Sequence, residues 1–213
     1  LSSCRDRVFI STKFDSRNTS VAMNEFERSL QRLKTDYVDI LLIHDVNNSD
    51  TPSALEEGVY KEMVKLRDEG TARFIGFSSM NSAFRARECI EALDFDVVLL
   101  TLNPTAYGNN AKIAVPAAKK RNVGVMAMKV MRDIVNKKAP PKELFEYVWE
   151  MDGVQTAVVG HIGSETLEEN VQLTKQYGFA GIEKSFLYCE RQRELEKQHA
   201  DLAGPHALCW ARS

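Results

Sequence analysis

Cysteine is scarce in this sequence of 213 residues, and the four present, Cys4, Cys89, Cys189 and Cys209, are far apart and form no C-x-x-C pair. That excludes a disulfide framework and a cysteine-based metal centre, so no metal is expected, and the cytoplasm, with its reduced thiols, is the expected compartment. Long apolar runs are absent too. None approaches the ~20 residues that cross a bilayer, and no signal peptide is visible, so no membrane partner is expected. Nor is positive charge in surplus. With 28 Lys and Arg against 30 Asp and Glu the formal net charge is −2, and no basic block occurs. Nucleic acid is therefore not an expected partner either. An initiating methionine is lacking as well: the chain opens on Leu1 and soon enters a predicted strand, so a preceding segment is expected.

What remains, 44% hydrophobic and 27% charged residues, is enough for one sizeable core. The chain is organised around residues 38–45, VDILLIHD. A short, nearly unbroken apolar run reads as a strand buried on both faces, the mark of a parallel sheet under helices. On either side the pattern alternates. Strands are predicted at 8–13, 38–44, 74–78, 96–103, 123–129 and 156–160. A helix capped by Ser20 carries Phe26, Leu30 and Leu33 on one face. A second runs from about Ser53 through Leu55, Val59, Met63 and Leu66 to Gly70. Others follow over 82–93 and 113–121, after Pro140 and Pro141, and behind Ser164 through Leu167, Val171 and Leu173. Six strands alternating with six helices and no composition break predict one parallel sheet with right-handed crossovers, occupying residues 1–178. Residues 179–213 read as a C-terminal tail, partly helical over 189–198 and without pattern beyond.

Parallel α/β sheets collect their chemistry at the C-terminal ends of the strands. Lys13 and His44 end the first two strands. On neighbouring strands they would reach one mouth, and a lysine beside a histidine lowers the proton affinity of both. Ser78 and Ser79 follow the third strand and Asn103 ends the fourth. Such groups can hydrogen-bond a carboxamide or a carbonyl, or simply cap loops. Met128 and Lys129 end the fifth, where the lysine either faces a phosphate or is solvated. Gly160, His161, Ile162, Gly163 and Ser164 form a glycine-containing turn into a helix N-terminus, a phosphate site by its free N–H groups and helix dipole, though not a G-x-G-x-x-G pattern.

Several longer stretches, in order, are similar to the aldo-keto reductase family. They are residues 5–13, RDRVFISTK; 29–44, SLQRLKTDYVDILLIH; 69–79, EGTARFIGFSS; and 167–170, LEEN. The resemblance covers about residues 5–175. It implies a (β/α)₈ barrel of the TIM type, here incomplete, with about six parallel strands and outer helices. It also implies a cofactor, NADP or NAD, and a small-molecule carbonyl substrate. Lys13 and His44 match the family's catalytic lysine and histidine. Ser78 and Ser79 match a Ser-Asn pair that holds the nicotinamide amide, with serine replacing the asparagine. Met128 stands where many members stack an aromatic ring, and Asn103 falls on the substrate side. Gly160 to Asn170 matches the loop around the adenosine phosphates, with Glu169 and Asn170 at the adenine, and Thr166 stands where many members carry an arginine for the 2′-phosphate. The run Ala127-Met128-Lys129 resembles a bacterial branch that often bears a C-terminal iron–sulfur extension, but the cysteine spacing for a cluster is missing.

The family's aspartate and its proton-donating tyrosine lie in two βα units that have no counterpart here. The resemblance therefore implies an NAD(P)H-dependent reductase of aldehydes or ketones of which this chain is a fragment with little activity alone. The alternative is a non-catalytic, reductase-like regulatory or partner-binding subunit. Lys13 and His44 speak for the enzyme, and the missing acid speaks for the subunit. Oligomeric state is not legible.

Overall fold

The computed structural model describes residues 2–132, 135 and 139–181. The proposed tail, with its run over 189–198, lies outside the described residues beyond 181. A short 3-10 segment, Ser2–Arg7, leads into β1 (Ser11–Phe14) and α1 (Thr19–Leu33). Next come β2 (Val38–Ile43), α2 (Pro52–Leu55), a π-helical turn (Glu56–Tyr60) and α3 (Lys61–Asp68). The chain continues through β3 (Ala72–Ser79), α4 (Ala83–Ala92), β4 (Val97–Thr101), α5 (Asn110–Lys120) and β5 (Gly124–Met128). It ends with α6 (Pro141–Trp149), β6 (Thr156–Val158) and α7 (Gly163–Gly181).

All six strands are parallel and lie in the order of the chain. The sheet curls into a half-barrel with the helices outside. Register sorts the side chains into two layers. Phe14, Leu41, Ile43, Ile75, Phe77, Val98, Leu100, Val125 and Ala127 point outward and form the main core beneath the helices. Leu42, Phe74, Val97, Leu99 and Met126 form a smaller cluster on the inner face, flanked by Ile40 and Met128. Lys13 pairs with Leu42 and so belongs to the inner face. Both faces are covered, which is why β2 carries a nearly continuous apolar run rather than an alternation.

The bottom of the sheet, at the N-terminal ends of the strands, is clasped at three seams by the same device. The amide of Ile10 donates to Asp39 Oδ2 (2.7 Å) while the amide of Asp39 donates to the carbonyl of Ile10 (3.0 Å). Ile75 and Asp96 exchange the same pair of bonds at 2.9 and 2.9 Å, and Val125 and Gln155 at 2.6 and 3.0 Å. The carboxylate of Asp39 is buried, and two arginines balance its charge: Arg5 at 2.9 Å and Arg73 at 2.8 Å. This is the single carboxylate inside the central apolar run, and its burial is tolerable only because it is so paired.

Several boundaries move. The first strand begins at Ser11, not at residue 8, because Arg5 bonds the carbonyls of Val8 and Tyr37 and keeps the preceding residues out of the ladder. Asn18, not Ser20, caps α1: its side chain accepts from the amide of Val21. Thr51 caps the next helix through the amide of Ala54. Ser164 lies inside the first turn of α7, since Gly163 already begins the helix. That helix crosses residue 178 and continues to Gly181.

Candidate active site

The site is built from the C-terminal ends of β1 and β2. The amide of His44 donates to the carbonyl of Phe14 (2.9 Å), which carries the ladder one residue past β2. His44 and Lys13 then line one cleft of about 230 Å³, together with Asp15 and with Glu25, Arg28 and Arg32 of α1. Its floor includes Phe14, whose ring is buried in the outer core. Desolvation holds the Lys13 ammonium below the ordinary lysine value, and the positive charge of Lys129 pushes it further down. Lys129 therefore acts on the same mouth from the end of β5. It has a left-handed backbone, φ 60°, and its side chain is exposed.

The loop after β1 is held rigidly. Glu25 Oε2 accepts the amides of Asp15 (2.8 Å) and Ser16 (3.2 Å). Arg17 donates to the carbonyls of Asp15 and Asp45 and to the buried carboxylate of Asp50. With the backbone so fixed, Asp15 Oδ1 sits 2.9 Å from His44 Nδ1. Sequence reasoning missed Asp15. The available signal was a carboxylate two residues after a strand-end lysine.

The two serines that end β3 separate. Ser78 is on the inner face but buried, and its hydroxyl accepts the Asp45 amide (2.9 Å) and points back at the Ile43 carbonyl. Ser79 is on the helix side and donates to the carbonyl of Val46 (2.7 Å). Both hydroxyls shape the loop that follows His44. Asn103 is buried too. Its Nδ2 donates to the Lys129 carbonyl (3.1 Å), and its Oδ1 accepts from the amide and hydroxyl of Thr105, tying the end of β4 to the end of β5. Met128 is half-buried on the inner face.

The glycine turn follows β6. His161, Ile162, Ser164 and Glu169 are exposed there. Thr166 Oγ1 accepts the Ile162 amide (2.7 Å), and Asn170 Nδ2 donates to the Gly160 carbonyl (3.3 Å), so helix side chains fasten the turn from both ends. A Cβ placed on Gly160 or Gly163 would meet nothing within 4 Å, so the turn is open. Among the described residues no group of three or more His, Cys, Asp or Glu is placed to hold a metal ion, and no helix is long and apolar enough to cross a membrane.

Residues 2–212 match the model of the Aldo/keto reductase family. The chain belongs to the aldo/keto reductase family. The match runs beyond residue 178 into the stretch read as a tail. Aldo/keto reductases are oxidoreductases that use NAD(P)H. Among curated members, the chain is 28% identical over 163 residues to L-galactose dehydrogenase of Arabidopsis thaliana, covering 75% of this chain and 50% of that protein. It is 31% identical over 125 residues to methylglyoxal reductase DkgB of Yersinia pestis, covering 57% and 45%. The chain thus spans about half the length of the curated relatives it matches. The half-barrel superposes on aldo-keto reductase AKR11C1 of Bacillus halodurans with a TM-score of 0.66 at 18% identity, over 81% of this chain and 69% of that one. It also superposes on Bombyx mori AKR2E4 in complex with NADP, with a TM-score of 0.57 at 22% identity, over 72% and 59%.

Proposed function

We propose that the protein reduces small aldehydes or ketones with NADPH or NADH, using Lys13 and His44 at the mouth of the barrel. The observation that carries this reading is their convergence: two residues 31 positions apart in sequence line one cleft. A module that only binds a partner has no need of that convergence.

The residues present fit the cofactor. The turn over 160–164 is open, and the first amides of a helix such as α7 have no acceptor within it, which suits phosphate oxygens. Lys129, His161, Ile162 and Ser164 would border the phosphates, and Glu169 and Asn170 the adenine. Ser78 and Met128 would line the nicotinamide, with Ser79 holding the loop behind it and Asn103 the wall on the substrate side. When bound, the nicotinamide supplies the hydride.

The chain's own residues do the rest. His44 presents its outer ring nitrogen to the carbonyl oxygen and fixes its direction. Lys13, its ammonium held below the ordinary lysine value and pressed by Lys129, places positive charge where negative charge develops on that oxygen. Among the described residues, those that line the cleft include no tyrosine. Loss of a general acid costs ~10²–10⁴ in rate, so residues 1–213 by themselves are expected to turn over slowly. We infer the cytoplasm as the compartment.

Fluorescence titration with NADPH and NADH tests the binding half. Saturable quenching that Ser78→Ala with Asn170→Ala weakens supports it, and unchanged affinity places the cofactor elsewhere. Oxidation of either nucleotide with methylglyoxal and with an aldose tests the chemistry. The protein to use is this chain extended by two N-terminal βα units that carry an aspartate and a tyrosine. A folded, extended protein without turnover would favour a non-catalytic subunit.

A further inference from the structure

The carboxylate nearest to His44 belongs to a residue that the family assignment leaves without a role. Both partners have fixed backbones. Asp15 is held through its amide by Glu25 and through its carbonyl by Arg17, and His44 is held through its amide by the Phe14 carbonyl. The 2.9 Å contact between Asp15 Oδ1 and His44 Nδ1 follows from that frame. The other charged groups lining the cleft are Lys13 and, on α1, Glu25, Arg28 and Arg32; Asp45 follows His44 in the chain, and Lys129 acts on Lys13 from the end of β5. None replaces Asp15 as an acceptor. Glu25 is occupied by the two loop amides, Asp45 accepts the Met80 amide, and the cations carry no acceptor.

An ionised carboxylate only accepts hydrogen bonds, so His44 Nδ1 must carry a proton to meet it. A neutral imidazole has one N–H. With that proton on Nδ1, Nε2 is left bare and can only accept. We propose that Asp15 is a positioning residue that commits His44 to the Nδ1–H tautomer, so that Nε2 donates to a carbonyl oxygen only when the ring is an imidazolium. This rests on the reading that His44 meets the carbonyl. The consequence is chemical selection by pH. A carbonyl oxygen needs a donor and is recognised by the charged ring. An alcohol can donate its own hydroxyl proton as a hydrogen bond to bare Nε2 and is recognised by the neutral ring.

The direct test is a long-range ¹H–¹⁵N correlation spectrum of the histidine-labelled chain at a pH where His44 is neutral. The expected result is a proton on Nδ1 in the wild type and in Asp15→Glu, which keeps a charged acceptor, and a move of the proton to Nε2 in Asp15→Ala. A wild-type ring protonated on Nε2, or a spectrum that Asp15→Ala leaves unchanged, overturns the proposal. Asp15 is 79% exposed, so its replacement leaves the core intact. The readout needs no turnover, so its outcome is separate from that of the reductase assay. In an extended protein that turns over, KM for a ketone should rise with pH in the wild type and in Asp15→Glu and flatten in Asp15→Ala. Identical pH profiles for wild type and Asp15→Ala would reject the inference while leaving the reductase reading in place.

Discussion

Arg17 and Asp50 meet fork to fork, Nε to Oδ1 and Nη2 to Oδ2, both at 2.8 Å. Asp50 is 6% exposed. Burial pushes its carboxyl up, but the Arg17 hydrogen bonds, the Asn47 amide and the charges of Arg17 and Arg85 together outweigh it and hold the group below the usual carboxylate value. The same guanidinium donates to the carbonyls of Asp15 and Asp45. One arginine therefore ties together the two loops from which the candidate catalytic cleft is built.

Replacing Arg17 by Met should cost about 1–3 kcal/mol, the penalty for a buried charged acceptor that loses its partner. Urea unfolding at pH 7 measures it. Because the folded value of Asp50 lies below its unfolded value of about 3.9, its stabilisation is present above that pH and disappears as pH falls through the folded value. The gap between wild type and Arg17→Met should therefore narrow in acid.

Lys13 carries the opposite sign. Its ammonium is depressed when folded, so the unfolded chain binds more protons between the folded value and about 10.4. Its unfavourable contribution is largest below that window and is relieved as pH rises through it. Lys13→Met should gain in Tm over wild type near neutrality, and the gain should fade toward pH 10. Competitive acetylation followed by mass spectrometry should show Lys13 becoming reactive at lower pH than the exposed lysines. Lys129→Met should move it part of the way back, since desolvation is the larger cause.

Gly76 lies in the inner layer between Leu42 and Val97. A Cβ there would be driven into the Val97 carbonyl. Backbone cannot yield as a side-chain tip does, so Gly76→Ala should cost about 3 kcal/mol or more. Gly160→Ala, where nothing lies within 4 Å, should stay within about 0.5 kcal/mol. Equal Tm values for the two variants would show that β3 and β4 do not approach as described.

Cys89 lies buried on α4, and burial pushes its thiol up to about 12. Thiolate is the reactive form, so iodoacetamide should leave Cys89 unmodified in the folded protein and alkylate it promptly in urea, as peptide mapping would show.

The sheet was legible because its second strand is a nearly continuous apolar run bounded by polar residues, and the βα spacing repeats around it. Lys13 and His44 were legible as strand ends. Asp15 and Arg17 were not, since loop residues acquire meaning only from what the fold brings opposite them. Ser78 and Ser79 stand where the family has its Ser-Asn pair, yet consecutive residues on a strand point to opposite faces, and only register shows which one looks inward. The helix starts at Ser20 and Ser164 were misplaced because Asn18 and Gly163 lay near enough to compete for the same turn.

The reciprocal clasps joining Ile10 to Asp39, Ile75 to Asp96 and Val125 to Gln155 divide labour along the strands. A one-residue slip at any of these seams would strand a carboxylate or carboxamide opposite the wrong amide and turn the apolar set to the other face. Three of the seams are thus pinned at the end of the sheet remote from Lys13 and His44, while the loops at the near end are fastened by side chains of their own, Arg17 to Asp50 and Asn103 to the Lys129 carbonyl. A change in those loops that keeps Arg17, Asp50 and Asn103 would leave the register of these three seams to the remote clasps.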